Sequence, residues 1–140
     1  MQKTLACGLV MALSFAAPVV AQEKQKTIQL PDLTVGLGDA GYGVSAATIN
    51  MEAGKPHRMW LKATGKKECA FQADEFMANI KWRKIEVSKV ELKPSATMKE
   101  IEFEQEGSAE LFFTPTKAGE YTWICKGVSD KGLTGKFIVK

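Results

Sequence analysis

Histidine is almost missing from this chain: His57 is the only one in 140 residues. That single fact removes several kinds of site. A three-histidine zinc centre and the two-histidine facial triad of non-haem iron both need more imidazole than the chain has. So does a blue-copper centre, which takes two imidazoles and a thiolate. No nucleophile–histidine–acid relay is recognisable around His57, so the expectation is a protein that is not an enzyme. A surplus of charge is missing too. The 19 basic and 16 acidic residues leave a formal +3, with no basic stripe interleaved with aromatics, which excludes nucleic acid as the expected partner. The apolar, uncharged run at 5–20 falls short of the roughly 20 residues of a membrane-spanning helix and gives way abruptly to polar residues. The Gly-rich stretch "GLGDAGYG" (36–43) lacks the Lys-Ser/Thr ending of a phosphate loop. No internal repeat and no low-complexity run is present.

What is there begins at the N-terminus. Lys3 provides a positive start, the apolar run follows, and small residues stand at 18–21. This pattern predicts a secretory signal peptide over 1–21, cut after Ala21. Cys7 precedes most of the apolar run, so it is expected to leave with the signal. Losing Lys3 takes the formal charge from +3 to +2. The mature chain, 22–140, is one domain's worth of residues without a transmembrane segment, and its expected location is the periplasm. That compartment is oxidising, and there cysteines are usually paired or liganded. Two remain, Cys69 and Cys125, which raises a disulfide and a two-thiolate metal site together.

Turn residues recur at short intervals along the mature chain, and the segments between them alternate. A first strand is expected over 27–30, followed by the Gly-rich loop 36–43, whose glycines permit positive φ. A strand over 47–51 stops at "EAGKP". In "HRMWLKA", His57, Met59 and Leu61 fall on one face and Arg58, Trp60 and Lys62 on the other, the period of a half-buried strand. "ECAFQADEF" (68–76) reads as a strand entering a loop. Residues 76–84 are ambiguous and allow a helical turn, and 85–92 alternate weakly. Ile101 with Phe103, and Leu111 with Phe113, mark strands on either side of "EQEGSA". Tyr121, Trp123 and Cys125 alternate again, and 137–139 close the chain. Many short strands separated by turns predict an all-β sandwich or Greek-key barrel with at most one short helix.

The thiols are the main chemical candidates. If Cys69 and Cys125 meet and oxidise, they close a loop of about 57 residues, worth about 4 kcal/mol in the chain-entropy account. If they meet reduced, two thiolates are soft ligands that favour Cu(I), or Zn(II) with further donors. The further donors to consider are Glu68, Asp74, Glu75, Met77, Met98 and His57. Glu68 points away from Cys69 on an alternating strand. The methionines suit core gaps, and His57 serves a metal only if its strand end lies near the cysteines. Trp60, Trp82 and Trp123 read as core or cover residues. Lys81, Arg83 and Lys84 form a small basic cluster around Trp82, fit at most for docking an acidic partner.

From residue 47 onward the chain resembles the cupredoxin-like family of exported copper proteins. "INMEAGKPHRMWLKATG" is similar to the family's strand–AGKP–strand opening. "CAF" at Cys69 is similar to its H-x-F, where the histidine is a copper ligand. "AGEYTWIC" resembles the PGxYxFxC that delivers the ligand cysteine, and "GLTGKFIVK" resembles the closing GMxGxxxV strand. The resemblance implies a cupredoxin-type sandwich over 47–140, with 22–46 adding a strand and the Gly-rich loop to the same domain. It also implies that Cys69 and Cys125 lie close together. Cys125 matches the ligand cysteine, and Cys69 takes the place of the first histidine. The second histidine has no counterpart in 126–131, and Leu133 stands where the methionine belongs.

Three expectations follow. The first is a soft-metal protein that binds or delivers Cu(I) through Cys69 and Cys125, serving a periplasmic or membrane metal-transport partner. The second is a metal-free structural or interaction module stapled by a Cys69–Cys125 disulfide. The third, blue-copper electron transfer, is disfavoured by the lack of histidine.

Overall fold

A computed structural model describes residues 25–95 and 98–140. The signal peptide expected over 1–21, its cleavage site and Cys7 lie outside the described residues. Alternation produces the strands as expected. In β5 (His57–Ala63) every odd residue is buried, and β11 (Gly119–Cys125) buries Tyr121, Trp123 and Cys125. Each strand therefore turns one face to an apolar interior.

The other strands are β1 (Ile28–Gln29), β2 (Leu33–Leu37), β3 (Gly43–Val44), β4 (Thr48–Met51), β6 (Cys69–Gln72), β7 (Ile80–Val87), β8 (Val90–Leu92), β9 (Glu100–Phe103), β10 (Gly107–Pro115) and β12 (Thr134–Val139). They form two mixed sheets. One runs β3-β2-β5-β10-β7-β8, with β1 also pairing β5. The other runs β4-β12-β11-β6-β9. The core between them includes Leu33, Met59, Leu61, Leu111 and Phe113 from the first sheet and Ile49, Phe71, Trp123 and Phe137 from the second.

Two elements differ from the sequence expectation. The helical turn allowed for within 76–84 is present but starts two residues earlier, as α1 (Asp74–Ala78), and the ambiguous segment continues from Ile80 as strand through Val87. The alternation of β7 is broken because its register with β10 slips: Phe112 faces Lys84 while Phe113 faces Trp82. One extra residue in a strand inverts the in–out pattern, and that bulge blurs the period in the sequence. The second difference is β2 (Leu33–Leu37), which runs two residues into the Gly-rich loop expected over 36–43. Gly36, at φ 88, sits at an irregularity inside the strand, so its glycine marks a bulge and not the loop's start.

Register fixes the two ends of the sandwich. Gly119 pairs with Val139, and Val139 with Met51. The Gly54 N–H donates to the Pro115 carbonyl at 2.8 Å, and the Ala53 N–H to that of Lys140 at 2.7 Å. His57, Pro115 and Gly119 therefore share one end. Cys125, at the far end of the seven-residue β11, lies about 20 Å away along the strand.

Candidate functional site

Cys69 opens β6 and Cys125 closes β11, and these strands are neighbours in the five-stranded sheet, with Cys125 opposite Phe71. The pairing continues beyond the strand as the Lys126 N–H donates to the Ala70 carbonyl at 3.0 Å. This geometry brings the two Cα atoms to 4.8 Å, and the cysteines are joined by a disulfide. The separation is within the range that the bridge accepts. Both cysteines are completely buried, at 0% exposure.

The walls around the bridge are apolar. Trp123, two residues before Cys125, is fully buried and stacks on Phe71, with ring centroids 5.6 Å apart. Gly135 runs against that indole: a Cβ there would stand 2.6 Å from Trp123 Cζ2 and closer still to the Ala47 carbonyl. The loop after Cys125 returns at once. The Cys125 N–H donates to the Leu133 carbonyl at 2.9 Å, and the Val128 N–H to the Cys125 carbonyl at 3.2 Å. A 3-10 turn over Ser129–Lys131 and Gly132, at φ 114, complete the reversal. Leu133 is fully buried in the position where the resemblance calls for methionine.

The other candidate donors are not gathered here. Glu68 is exposed immediately before the strand, and Asp74 and Glu75 are exposed on the first turn of α1. Met77 is buried in the core and Met98 packs against it. His57 is buried at the opposite end of the sandwich, where the Glu52 N–H donates to its Nε2 at 3.3 Å and its ring stacks on Phe113. An Nε2 that accepts is unprotonated, which puts the proton on Nδ1 of a neutral ring. That Nδ1 is buried and makes no hydrogen bond of good geometry, although the Lys55 backbone lies close enough to act on its charge. Burial is the main influence on its pKa, pushing it below the usual histidine range. The Lys55 backbone and the Glu52 charge pull back the other way. Among the described residues, no three His, Cys, Asp or Glu side chains converge as metal ligands would. The donor set does not fit blue copper: the loop holds no imidazole, Leu133 cannot ligate, and His57 is at the wrong end.

One feature of this end was not anticipated from the sequence. Tyr42, from the Gly-rich loop, has two ammonium groups within cation–π reach, Lys67 at 5.0 Å and Lys131 at 5.5 Å from the ring centre. Gly132 packs directly under the Tyr42 carbonyl, where a Cβ would come to 3.1 Å. The lone aromatic among the glycines of 36–43 was the available signal.

No protein-family profile and no curated protein sequence matches this chain. Solved structures do resemble it. A laccase from Pediococcus acidilactici superposes with a TM-score of 0.59 at 9% identity, over 95% of this chain and 31% of that one. A multicopper oxidase from Campylobacter jejuni gives 0.54 at 10% identity, over 89% and 32%. A copper nitrite reductase from Nitrosomonas europaea gives 0.54 at 8% identity, over 84% and 50%. The chain thus spans from a third to a half of these proteins, and at such identities the likeness is one of fold.

Proposed function

The chain has a cupredoxin-like fold, and from that premise we propose that it is an exported, metal-free interaction module, neither an electron carrier nor an enzyme. The observation that carries this reading is the buried bond between Cys69 and Cys125, which stand where the resemblance puts two copper ligands. A sulfur committed to another sulfur is not a thiolate ligand. A buried disulfide also suits an oxidising compartment, in keeping with export. The bridge then does the work of a staple, tying β6 to β11 at the end where a metal would otherwise cross-link the strands.

A second reading rests on the same pair. Reduced, Cys69 and Cys125 are two soft donors brought together by adjacent strands, a set that takes Cu(I) without any histidine. A protein in that state would bind copper and pass it to a periplasmic or membrane metal-transport partner. One sample separates the two. Protein recovered after export is weighed intact, titrated for free thiols and analysed for metal. A mass lower by two hydrogens, no free thiol and no metal support the stapled module. Two titratable thiols with stoichiometric copper, retained against a Cu(I) chelator, sink it in favour of the second reading. Loading with Cu(II) is expected to give no intense visible absorption in either state.

A further inference from the structure

The hairpin β7–β8 carries three of the four exposed large hydrophobic side chains among the described residues. Its apolar side chains leave the core as a continuous ridge. Ile85 is 3% exposed, while Leu92 opposite it is 48% exposed, and the next pair, Val87 and Val90, reaches 39% and 57%. Cross-strand partners and alternate residues share a face, so these four side chains line one side of the ribbon. Only one other large hydrophobic residue, Leu37, is comparably exposed among the described residues. A two-residue turn of Ser88 and Lys89 joins the strands, with Ser88 at φ 55, so the ridge ends in a narrow convex tip.

The same ribbon holds the charge. Residues 80–93 contain five basic and two acidic side chains, an excess of three that equals the excess of the entire chain. Both acids are already occupied: Glu86 pairs with Lys84, and Glu91 pairs with Lys84 at 3.3 Å and Lys93 at 2.5 Å. Lys81, Arg83 and Lys89 have no acidic partner among the described residues. Once Lys3 leaves with residues 1–21, the rest of the chain sums to a formal −1, so its attraction to an anionic surface acts through this hairpin.

We propose that the β7–β8 hairpin docks on an anionic lipid bilayer, with Val87, Val90 and Leu92 entering the headgroup boundary and the unpaired basic residues meeting lipid phosphates. Three features favour a bilayer over a protein as the occupant. The tip is convex and aliphatic, without the Trp or Tyr anchors that concentrate energy in protein interfaces. The outer edge strand β8 is only three residues long and is flanked by Lys89 and Lys93, a design that discourages strand addition by another chain. An apolar edge combined with basic residues is also the pattern of reversible attachment to acidic headgroups.

The test is sedimentation of the exported protein with vesicles, after its mass has verified loss of residues 1–21. Binding is expected with phosphatidylcholine–phosphatidylglycerol vesicles and not with pure phosphatidylcholine, and it should weaken as salt is raised. Val87→Ser with Val90→Ser should lower the partition coefficient by about tenfold or more. Lys81→Glu with Lys89→Glu should abolish binding while leaving the thermal midpoint near that of the parent. Equal binding to both vesicle types, or binding to neither, overturns the proposal. Binding to soluble polyglutamate but not to anionic vesicles also overturns it and assigns the hairpin to an acidic protein.

Discussion

At the scale of single residues, His57 is where acid acts. Its ring is neutral, buried and bound through Nε2 to a backbone N–H, so protonation would break that bond and place a charge in the core. Burial holds its folded pKa below the ordinary histidine value of about 6.5. Between the folded pKa and that value the unfolded chain binds more protons. The contribution of His57 is therefore complete above about pH 6.5, declines as pH falls towards the folded pKa, and levels off below it. Urea midpoints measured at about pH 7.5 and about pH 5 should reveal this slope, and His57→Gln should flatten it. A slope unchanged in the variant would place the acid sensitivity elsewhere. Gly135 makes the opposite kind of prediction, one of space. Gly135→Ala should cost about 1–3 kcal/mol in denaturant unfolding, because neither the Trp123 indole nor the Ala47 carbonyl has room to move. The presence of His57 in a strand was readable from the sequence, but its position at the end remote from the cysteines was not. Strand end and sheet order are set by pairings between distant segments, and a local pattern is silent on them.

At the scale of elements, the strands with strict alternation were legible, and those that break it were not. β5 and β11 follow a period of two from end to end. β7 carries a bulge opposite Phe112 and Phe113, and its sequence mimics a helical turn. The helix that does form, α1, is five residues long with no side-chain cap, too short to stand by propensity. Acidic residues in its first turn suit the helix dipole, but packing holds it in place. Phe76 enters the core between the sheets, 5.4 Å from Phe113 of one and 4.6 Å from Phe137 and 5.7 Å from Tyr121 of the other, centre to centre. Phe76→Ala should destabilise the fold by about 3–5 kcal/mol and release α1 first, visible as faster amide exchange over 74–79 than over β5.

At the scale of the whole molecule, the disulfide ties β6 to β11 across one end of the sandwich. Only the pair itself was legible. Cys69 and Cys125 matched two neighbouring ligand positions, which implied proximity, while the choice between bond and metal depends on the oxidation state, which no residue pattern records. Breaking the bridge should lower the unfolding free energy by about 4 kcal/mol, measured by urea titration with and without a strong reductant. The folded spectrum at low urea should persist, since the apolar walls of Trp123, Phe71 and Leu133 remain. A loss near zero would mean that the unfolded chain keeps these strands together without help.

The bridge also divides the molecule mechanically. The two cysteines are 56 positions apart, and the interval contains α1, the β7–β8 hairpin and the central strand β10. Pulled by its two ends, the oxidised chain can pay out only the segments outside that interval. Force then passes from β6 to β11 through sulfur and bypasses everything between. Reduction should lengthen the fully stretched chain in an optical trap by about 200 Å, since each position adds at most about 3.5 Å. Oxidised, the same interval is shielded from tension even when the strands around it have given way.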